Sequence, residues 1–424
     1  MLTRLDVTSS TAPLGEVLPK PADAGVNVAE IVKEILDSVK LEGDAAVRRW
    51  TERFDNVAGD PQVALQELTN ALQTIDEALR ESLEFAWAQI LEFHQSELST
   101  PPPFVRSGVV VEHRTVPVDR AGIYAPGGRA RYPSSVLMAA GAARAAGVNE
   151  LVLCCPPGPS GSIDQATLAA AAIAGISEVY AIGGAQAIGA MAFGTETIAS
   201  VDVVAGPGNA FVAEAKRQVL GVVGVASGFA GPSEIAVYVD GSVDPKWAAI
   251  DLMVQAEHGP DGLAWLIGTE TTSLDAVDAA LEALLETAPR RAEIEATFAS
   301  GGYAVLASNV DQALAVIDVI AAEHVELLCE GGSQLARRIN NAGAIFVGPY
   351  GAASIGDYVA GPNHVLPTSR TAKFASALRA DDFVKHHHIV TVSREGFQHL
   401  ADHVERIATC EGLAAHAQSI AIRR

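Results

Sequence analysis

Basic residues are scarce in this chain: 29 lysines and arginines stand against 51 aspartates and glutamates in 424 residues, a formal net charge of −22. The isoelectric point lies near 4.8. Nucleic acid and anionic membrane attract basic surfaces, so an acidic chain is a poor non-specific binder of either. Cysteine is scarce too. Of Cys154, Cys155, Cys329 and Cys410 only the first two are close together, as neighbours in an apolar run, which gives neither a disulfide framework nor a CxxC zinc site. Small buried thiols in a reducing cytosol are the expected state. Long apolar runs are missing as well: none approaches the ~20 residues that cross a bilayer, because the alanine-rich run 134–147 is broken by Arg144. The first residues lack the charged and then apolar order of a signal peptide. The expectation is a soluble cytoplasmic protein with no nucleic-acid or membrane partner.

What is present is a folded composition, with hydrophobic residues at 49% and charged residues at 19%. At roughly 150 residues per domain the length suggests two or three units. Up to about residue 100 the pattern is helical, with apolar residues at three- and four-residue steps over 28–41 and 65–98. Gly43 followed by Asp44 reads as a helix stop and a new cap, and Pro101, Pro102 and Pro103 end the second helical region. The texture then becomes short apolar runs alternating with alanine-rich, helix-length stretches, as in a parallel sheet with crossover helices. Candidate strands are 122–124, 150–155, 178–182 and 201–204, followed by a second series at 234–239, 264–267, 303–306, 325–329 and 344–347. Helices are predicted between them, chiefly over 247–258, 274–286 and 312–322. From about Arg379 onward one amphipathic helix is predicted over 397–409 and no further strand. Such a tail cannot form its own core; it docks on this chain or on a partner subunit.

Three strand ends of the first series run into glycine loops: Ala125-Pro126-Gly127-Gly128, Gly183-Gly184-Ala185-Gln186 and Gly206-Pro207-Gly208-Asn209. In a parallel sheet these fall on the carboxyl edge, where glycine permits close approach of backbone to phosphate. No GxGxxG occurs, and no acidic ribose clamp has the usual spacing. The loops suit a nucleotide-sized ligand, and each taken singly is equally a tight turn. In the second series Gln255 and His258 are one helical turn apart, so both can reach one ion, or else mark a helix end meeting solvent. Glu323 and His324 open an apolar run. In extended chain they point apart, which suits separate tasks for a carboxylate and a base near neutral pH, or a boundary of solvated charges. Asp357 and His364 lie in a glycine- and proline-punctuated loop, a rigid polar kind that carries function. Asp357 can add a hard oxygen ligand. In the tail Gly412 lets Glu411 and His416 converge. His386, His387 and His388 read as an exposed polar turn, His399 and His403 as a solvated helix face, and His94 and His113 as lone residues without a partner.

Taken together, the motifs resemble those of the histidinol dehydrogenase family along nearly the full length of the chain. The resemblance rests on Gly183-Gly184-Ala185-Gln186-Ala187-Ile188, Val204-Ala205-Gly206-Pro207-Gly208-Asn209 and Ala230-Gly231-Pro232-Ser233-Glu234. It continues in Gln255-Ala256-Glu257-His258, Ala322-Glu323-His324, Gly356-Asp357-Tyr358 with Asn363-His364-Val365-Leu366-Pro367-Thr368, and Glu411-Gly412-Leu413 with His416. It implies one zinc ion per subunit held by Gln255, His258, Asp357 and His416, the last from the other subunit of a homodimer that exchanges its C-terminal tail. It implies NAD contacts at Tyr124, Gln186 and Asn209, and the catalytic pair Glu323 and His324. Substrate contacts are implied at Ser233, His364 and Glu411, together with His324 and the zinc residues. The implied reaction is the four-electron oxidation of L-histidinol through L-histidinaldehyde to L-histidine with two NAD, the last step of histidine biosynthesis. A paralogous zinc and NAD dehydrogenase of a sulfonated diol is the alternative, which Glu411 disfavours because a carboxylate repels a sulfonate. A catalytically silent binding protein is disfavoured by the intact Glu323 and His324. The segment 225–229 before Ala230 lacks the acidic residue expected there, and the stretch around 385–388 also departs from the family pattern.

The fold so implied is α/β: two incomplete Rossmann-like parallel-sheet domains, a helical N-terminal region and a small C-terminal tail domain. The expected division is an arm over 1–20, a larger α/β domain from 21–123 and 234–378, an NAD-binding domain over 124–233, and a tail domain over 379–424.

Overall fold

Ile123 and Tyr124, neighbours on one short strand, face opposite layers, and that alternation repeats through the first of the sheets. The computed structural model describes residues 1–20, 28–127, 131–226, 233–257, 259 and 262–424. In chain order the strands are β1 (Thr3–Asp6), β2 (Phe104–Arg106), β3 (Val109–Pro117), β4 (Arg120–Tyr124), β5 (Glu150–Cys154), β6 (Glu178–Tyr180) and β7 (Val203–Ala205). They continue as β8 (Gly224–Val225), β9 (Glu234–Val239), β10 (Leu263–Gly268), β11 (Gly302–Leu306), β12 (His324–Leu328), β13 (Ala344–Val347) and β14 (Val384–Val392). Among the described residues they form three sheets.

One sheet has the order β6-β5-β4-β7-β8, all parallel. Another has the order β1-β11-β10-β9-β12-β13, also parallel. Leaving β1 aside, each sheet starts at its centre, extends to one side, and then crosses back to the other. That is the doubly wound pattern, and it occurs twice. All nine strands expected in the two series are present, two with the expected bounds and the others with ends shifted by at most two residues.

Each sheet is covered on both faces, as a parallel sheet requires. Leu151 and Leu153 of β5 pack under helices Leu65–Thr74, Glu77–Glu97, Pro133–Ala145 and Gln165–Ile173; Val152 and Cys154 pack under Ala29–Glu42, Asp44–Asp55, Gly184–Phe193 and Ala210–Val219. In the other sheet Ile235 and Val237 face Pro245–Ala256 and Thr271–Leu285, while Ala236 and Tyr238 face Val310–Ile320. A fully buried side chain of this size contributes about 1.5–3 kcal/mol.

Several elements differ from the sequence reading. The helices over 29–97, grouped there with residues 234–378, pack on the five-stranded sheet, because Ile35, Trp50, Leu68 and Ile90 complete its two cores. The arm over 1–20 is tied to the six-stranded sheet. Strand β1 extends the six-stranded sheet beside β11, with Val7 N–H bonded to Leu306 O at 3.0 Å. Asp44 is the first residue of its helix rather than its cap, and its carboxylate accepts from Thr197 Oγ1 at 3.0 Å. The tail does contain a strand: β14 pairs antiparallel with β3, which pairs with β2. A strand whose partner lies some 270 residues away gives no local pairing signal. Cys154, Cys155 and Cys329 are buried and Cys410 is exposed, all as free thiols. No helix among the described residues is long and apolar enough to cross a membrane.

Candidate active site

The five-stranded sheet carries the expected cofactor residues Tyr124, Gln186 and Asn209 at the ends of its strands. Tyr124 ends β4, and its buried hydroxyl accepts the Gly184 N–H at 3.1 Å, which ties the loop after β6 to the end of β4. Gln186, in the first turn of Gly184–Phe193, is 1% exposed, and neither amide atom finds a partner among the described residues. An unpaired buried amide costs about 1–3 kcal/mol, so a polar ligand fits there. Asn209 caps the helix Ala210–Val219, its Oδ1 accepting from Phe211 and Val212 N–H at 3.1 and 3.2 Å. Gly206 has φ +113°, and a Cβ there would sit 2.0 Å from the Tyr124 carbonyl oxygen. Glycine is therefore obligatory where β4 and β7 end side by side. Gly128 of the first glycine loop lies outside the described residues.

The six-stranded sheet carries the expected catalytic residues at its amino edge. His324 is the first residue of β12, and Ser233 immediately precedes β9. The carboxyl edge of this sheet instead holds a cleft of about 300 Å³ lined by residues such as Asp240, Gly241 and Glu270, and it contains none of the expected site residues. His324 is buried with Nε2 3.0 Å from Asp357 Oδ1 and Nδ1 3.6 Å from Glu323 Oε2. Burial disfavours the charged imidazole, but Glu323 and Asp357 outweigh it and push the pKa up to about 10. Glu323 is itself fixed, accepting the Glu234 N–H at 3.1 Å.

Asp357 rides on the helix Ala353–Tyr358, and its carbonyl accepts from His364 Nδ1 at 2.8 Å. That donation leaves Nε2 of a neutral His364 to accept from Ser135 Oγ, 3.3 Å away. Burial lowers the His364 pKa and keeps the ring neutral. Gln255 lies in the last turn of Pro245–Ala256, 1% exposed, with both amide atoms unpartnered among the described residues. His258 lies outside the described residues. The structure thus gathers Glu323, His324, Asp357 and His364 by direct contact. Glu411 and His416 are exposed, in the tail that pairs with β3 and around the turn at Gly412 (φ +73°). Among the described residues no group of three or more His, Cys, Asp or Glu side chains is placed to hold a metal.

Some contributors were invisible in the sequence. His94, read as partnerless, is fully buried: Nδ1 is 2.7 Å from Glu97 Oε2 and Nε2 is 3.2 Å from Asn363 Nδ2. Asn363 also donates to Met138 O at 2.8 Å, so this network anchors the segment that presents His364. Lys216, wholly buried, donates to Gly206 O at 2.8 Å and holds the glycine loop from behind. Burial pulls its pKa down to about 8. The only signal for either was a polar residue at an apolar helical position. Of the histidines set aside, His388 pairs across strands with His113, ring centroids 5.5 Å apart, on exposed β14 rather than in a turn.

A family model described as histidinol dehydrogenase matches residues 19–424. The histidinol dehydrogenase of Ralstonia nicotianae is 42% identical over 433 aligned positions, covering 100% of this chain and 98% of the relative. That of Neisseria meningitidis serogroup B is 44% identical over 398, covering 93% and 92%. The crystal structure of histidinol dehydrogenase from Elizabethkingia anophelis superposes with a TM-score of 0.95 at 31% identity, covering 100% of this chain and 98% of that one. Nothing in these comparisons supports the sulfonated-diol alternative.

Proposed function

The chain belongs to the histidinol dehydrogenase family, and from that premise we propose that it carries out the oxidation of L-histidinol to L-histidine in two NAD-dependent steps, the last of histidine biosynthesis, in the cytoplasm. The observation that carries the reading is the His324 imidazole held between the carboxylates of Glu323 and Asp357. NAD, when bound, accepts the hydride in each step. Tyr124, Gln186 and Asn209 line the loops that face it, and Gln186 has the unpartnered amide to donate and accept. Zinc, when bound, orients the substrate as a template. The residues fit an ion: the buried Gln255 amide has no described partner, and Asp357 presents a carboxylate whose present cation is His324. His258 and His416 complete the proposed ligand set.

A base must be unprotonated, and two flanking carboxylates hold His324 protonated. His324 would act in its neutral form, taking the substrate's hydroxyl proton; zinc, if held by Asp357, would supply positive charge that disfavours the protonated ring. In the second step Glu323 takes a proton from water as it adds to the aldehyde, and His324 takes the proton of the hydrate. The two oxidations release two NADH, and the added water supplies the second carboxylate oxygen. Ser233, His364 and Glu411 contact the substrate, whose cationic amine suits Glu411.

Glu411 and His416 face solvent in a single chain, so the site reading calls for a second copy of this chain that exchanges the tail. Phe104, Val105, Val390 and Ile407, on the tail and the strands it joins, are each more than half exposed, an apolar surface suited to such a homodimer. The test follows NADH formation from purified protein with L-histidinol and NAD, with and without a zinc chelator. Turnover that the chelator abolishes and zinc restores is expected; no turnover by metal-loaded protein overturns the reading.

A further inference from the structure

Glu326 lies two residues beyond His324 on β12, so the pleat turns both side chains toward the same face of the sheet. Leu328, next in that series, packs with Leu252 and Met253 of the helix Pro245–Ala256, which identifies the face. There Glu326 is 0% exposed. Its Oε1 accepts the Ala353 N–H at 2.7 Å, at the first residue of the helix that carries Asp357. Buried Asp251, one helical turn before Gln255, stands close enough to act on the same carboxyl. One carboxyl on the strand that bears His324 therefore holds the helix of Asp357 by a hydrogen bond and lies beside an acid of the helix that bears Gln255.

Two carboxylates cannot hydrogen-bond each other, since neither has a donor. Glu326 Oε2 finds no N–H or hydroxyl donor among the described residues. An unpaired buried charge is strongly disfavoured. One proton between the two acids removes both problems. Burial and the Asp251 charge push the Glu326 pKa up to about 9, and burial also raises that of Asp251.

We propose that Asp251 and Glu326, sharing one proton, form a positioning clamp that sets where Gln255, Asp357 and His324 stand relative to one another. The proposal rests on the reading of Gln255 and Asp357 as ligands of one ion. Both acids act through other residues. Glutamine at 326 reproduces the protonated state, its carbonyl accepting from Ala353 and its amide donating to Asp251. Alanine leaves the Ala353 N–H and Asp251 without their partner.

The test compares zinc dissociation constants by chelator competition, alongside thermal midpoints, for wild type, Glu326→Ala, Glu326→Gln, Asp251→Ala and Gln255→Ala. Glu326→Ala and Asp251→Ala are expected to weaken zinc about ten- to hundredfold, and Glu326→Gln to restore the wild-type order of magnitude. Asp251→Ala carries the same test if Glu326→Ala does not fold. Wild-type zinc affinity in the folded alanine variants, or equal loss in Glu326→Gln and Glu326→Ala, overturns the clamp. Zinc lost by Gln255→Ala but kept by both alanine variants overturns the clamp alone; zinc kept by Gln255→Ala overturns the ligand reading beneath it.

Discussion

His324 Nε2 stands 3.0 Å from Asp357 Oδ1, so the proposed base and a proposed zinc ligand are direct partners. Its other nitrogen faces Glu323, the neighbour in sequence, at 3.6 Å. The two carboxylates differ in support. Glu323 is pinned by the Glu234 N–H, whereas Asp357 belongs to a six-residue helix that Glu326 holds at its first residue.

That asymmetry separates the two half-reactions. Removing a positioned base costs about a hundred- to ten-thousandfold in rate. His324→Ala is therefore expected to lower kcat by that order for both L-histidinol and L-histidinaldehyde. Glu323→Gln is expected to slow chiefly the aldehyde, where water must be activated. Pre-steady-state NADH release with each substrate checks this, and equal wild-type rates in both variants would refute the catalytic pair.

The buried Glu234 carboxyl makes stability depend on pH. Burial and then the Glu323 charge raise its pKa from 4.5 to about 8, against a backbone N–H bond from Ser369 that opposes the shift. The folded state then binds more protons than the unfolded state between those values, so unfolding free energy falls as pH rises across that window. The contribution is complete below about pH 4.5 and lost above about pH 8. Glu234→Gln mimics the protonated form. It is expected to be more stable than wild type at pH 8 and nearly equal at pH 5, as measured by urea unfolding; a gap that does not change with pH would contradict the assignment.

The glycine loops were legible in the sequence, and so were all nine strands of the two doubly wound series, because parallel strands buried on both faces read as uninterrupted apolar runs. What escaped depends on distant partners. Strand β14 is written by β3, and the place of the N-terminal helices is written by the faces of β4 and β5. Motif resemblance nominated His324 and Asp357 separately, but their contact joins residues 33 apart. His94 and Lys216 were missed for the same reason, since a lone polar residue on an apolar helix shows its function only beside Asn363 or Gly206.

Gly206 is the sharpest steric test of the loop assignment. A methyl group there meets both a positive φ and the Tyr124 carbonyl oxygen at 2.0 Å. Backbone strain of this kind costs about 1–3 kcal/mol. Gly206→Ala is expected to lower the thermal midpoint and to raise the KM for NAD well above any change in the KM for L-histidinol. A KM for NAD equal to wild type would remove this loop from the cofactor site.

The tail exchange can be decided by complementation between two inactive variants. Gln255 is buried in the body of the chain, while His416 is exposed in its tail. If each site takes Gln255 from one subunit and His416 from its partner, a mixed dimer of Gln255→Ala and His416→Ala subunits contains one intact site. The other site carries both changes. Random reassociation of equal amounts makes half the dimers mixed, so about a quarter of wild-type activity is expected to return. If each site draws both residues from one chain, every site in the mixture keeps one defect and no activity returns. The mixture is prepared by dissociating and refolding the two variants together, and NADH formation is compared with that of the same variants refolded apart. Recovery near a quarter that appears only on co-refolding supports exchange, whereas recovery no greater than the sum of the separate variants overturns it.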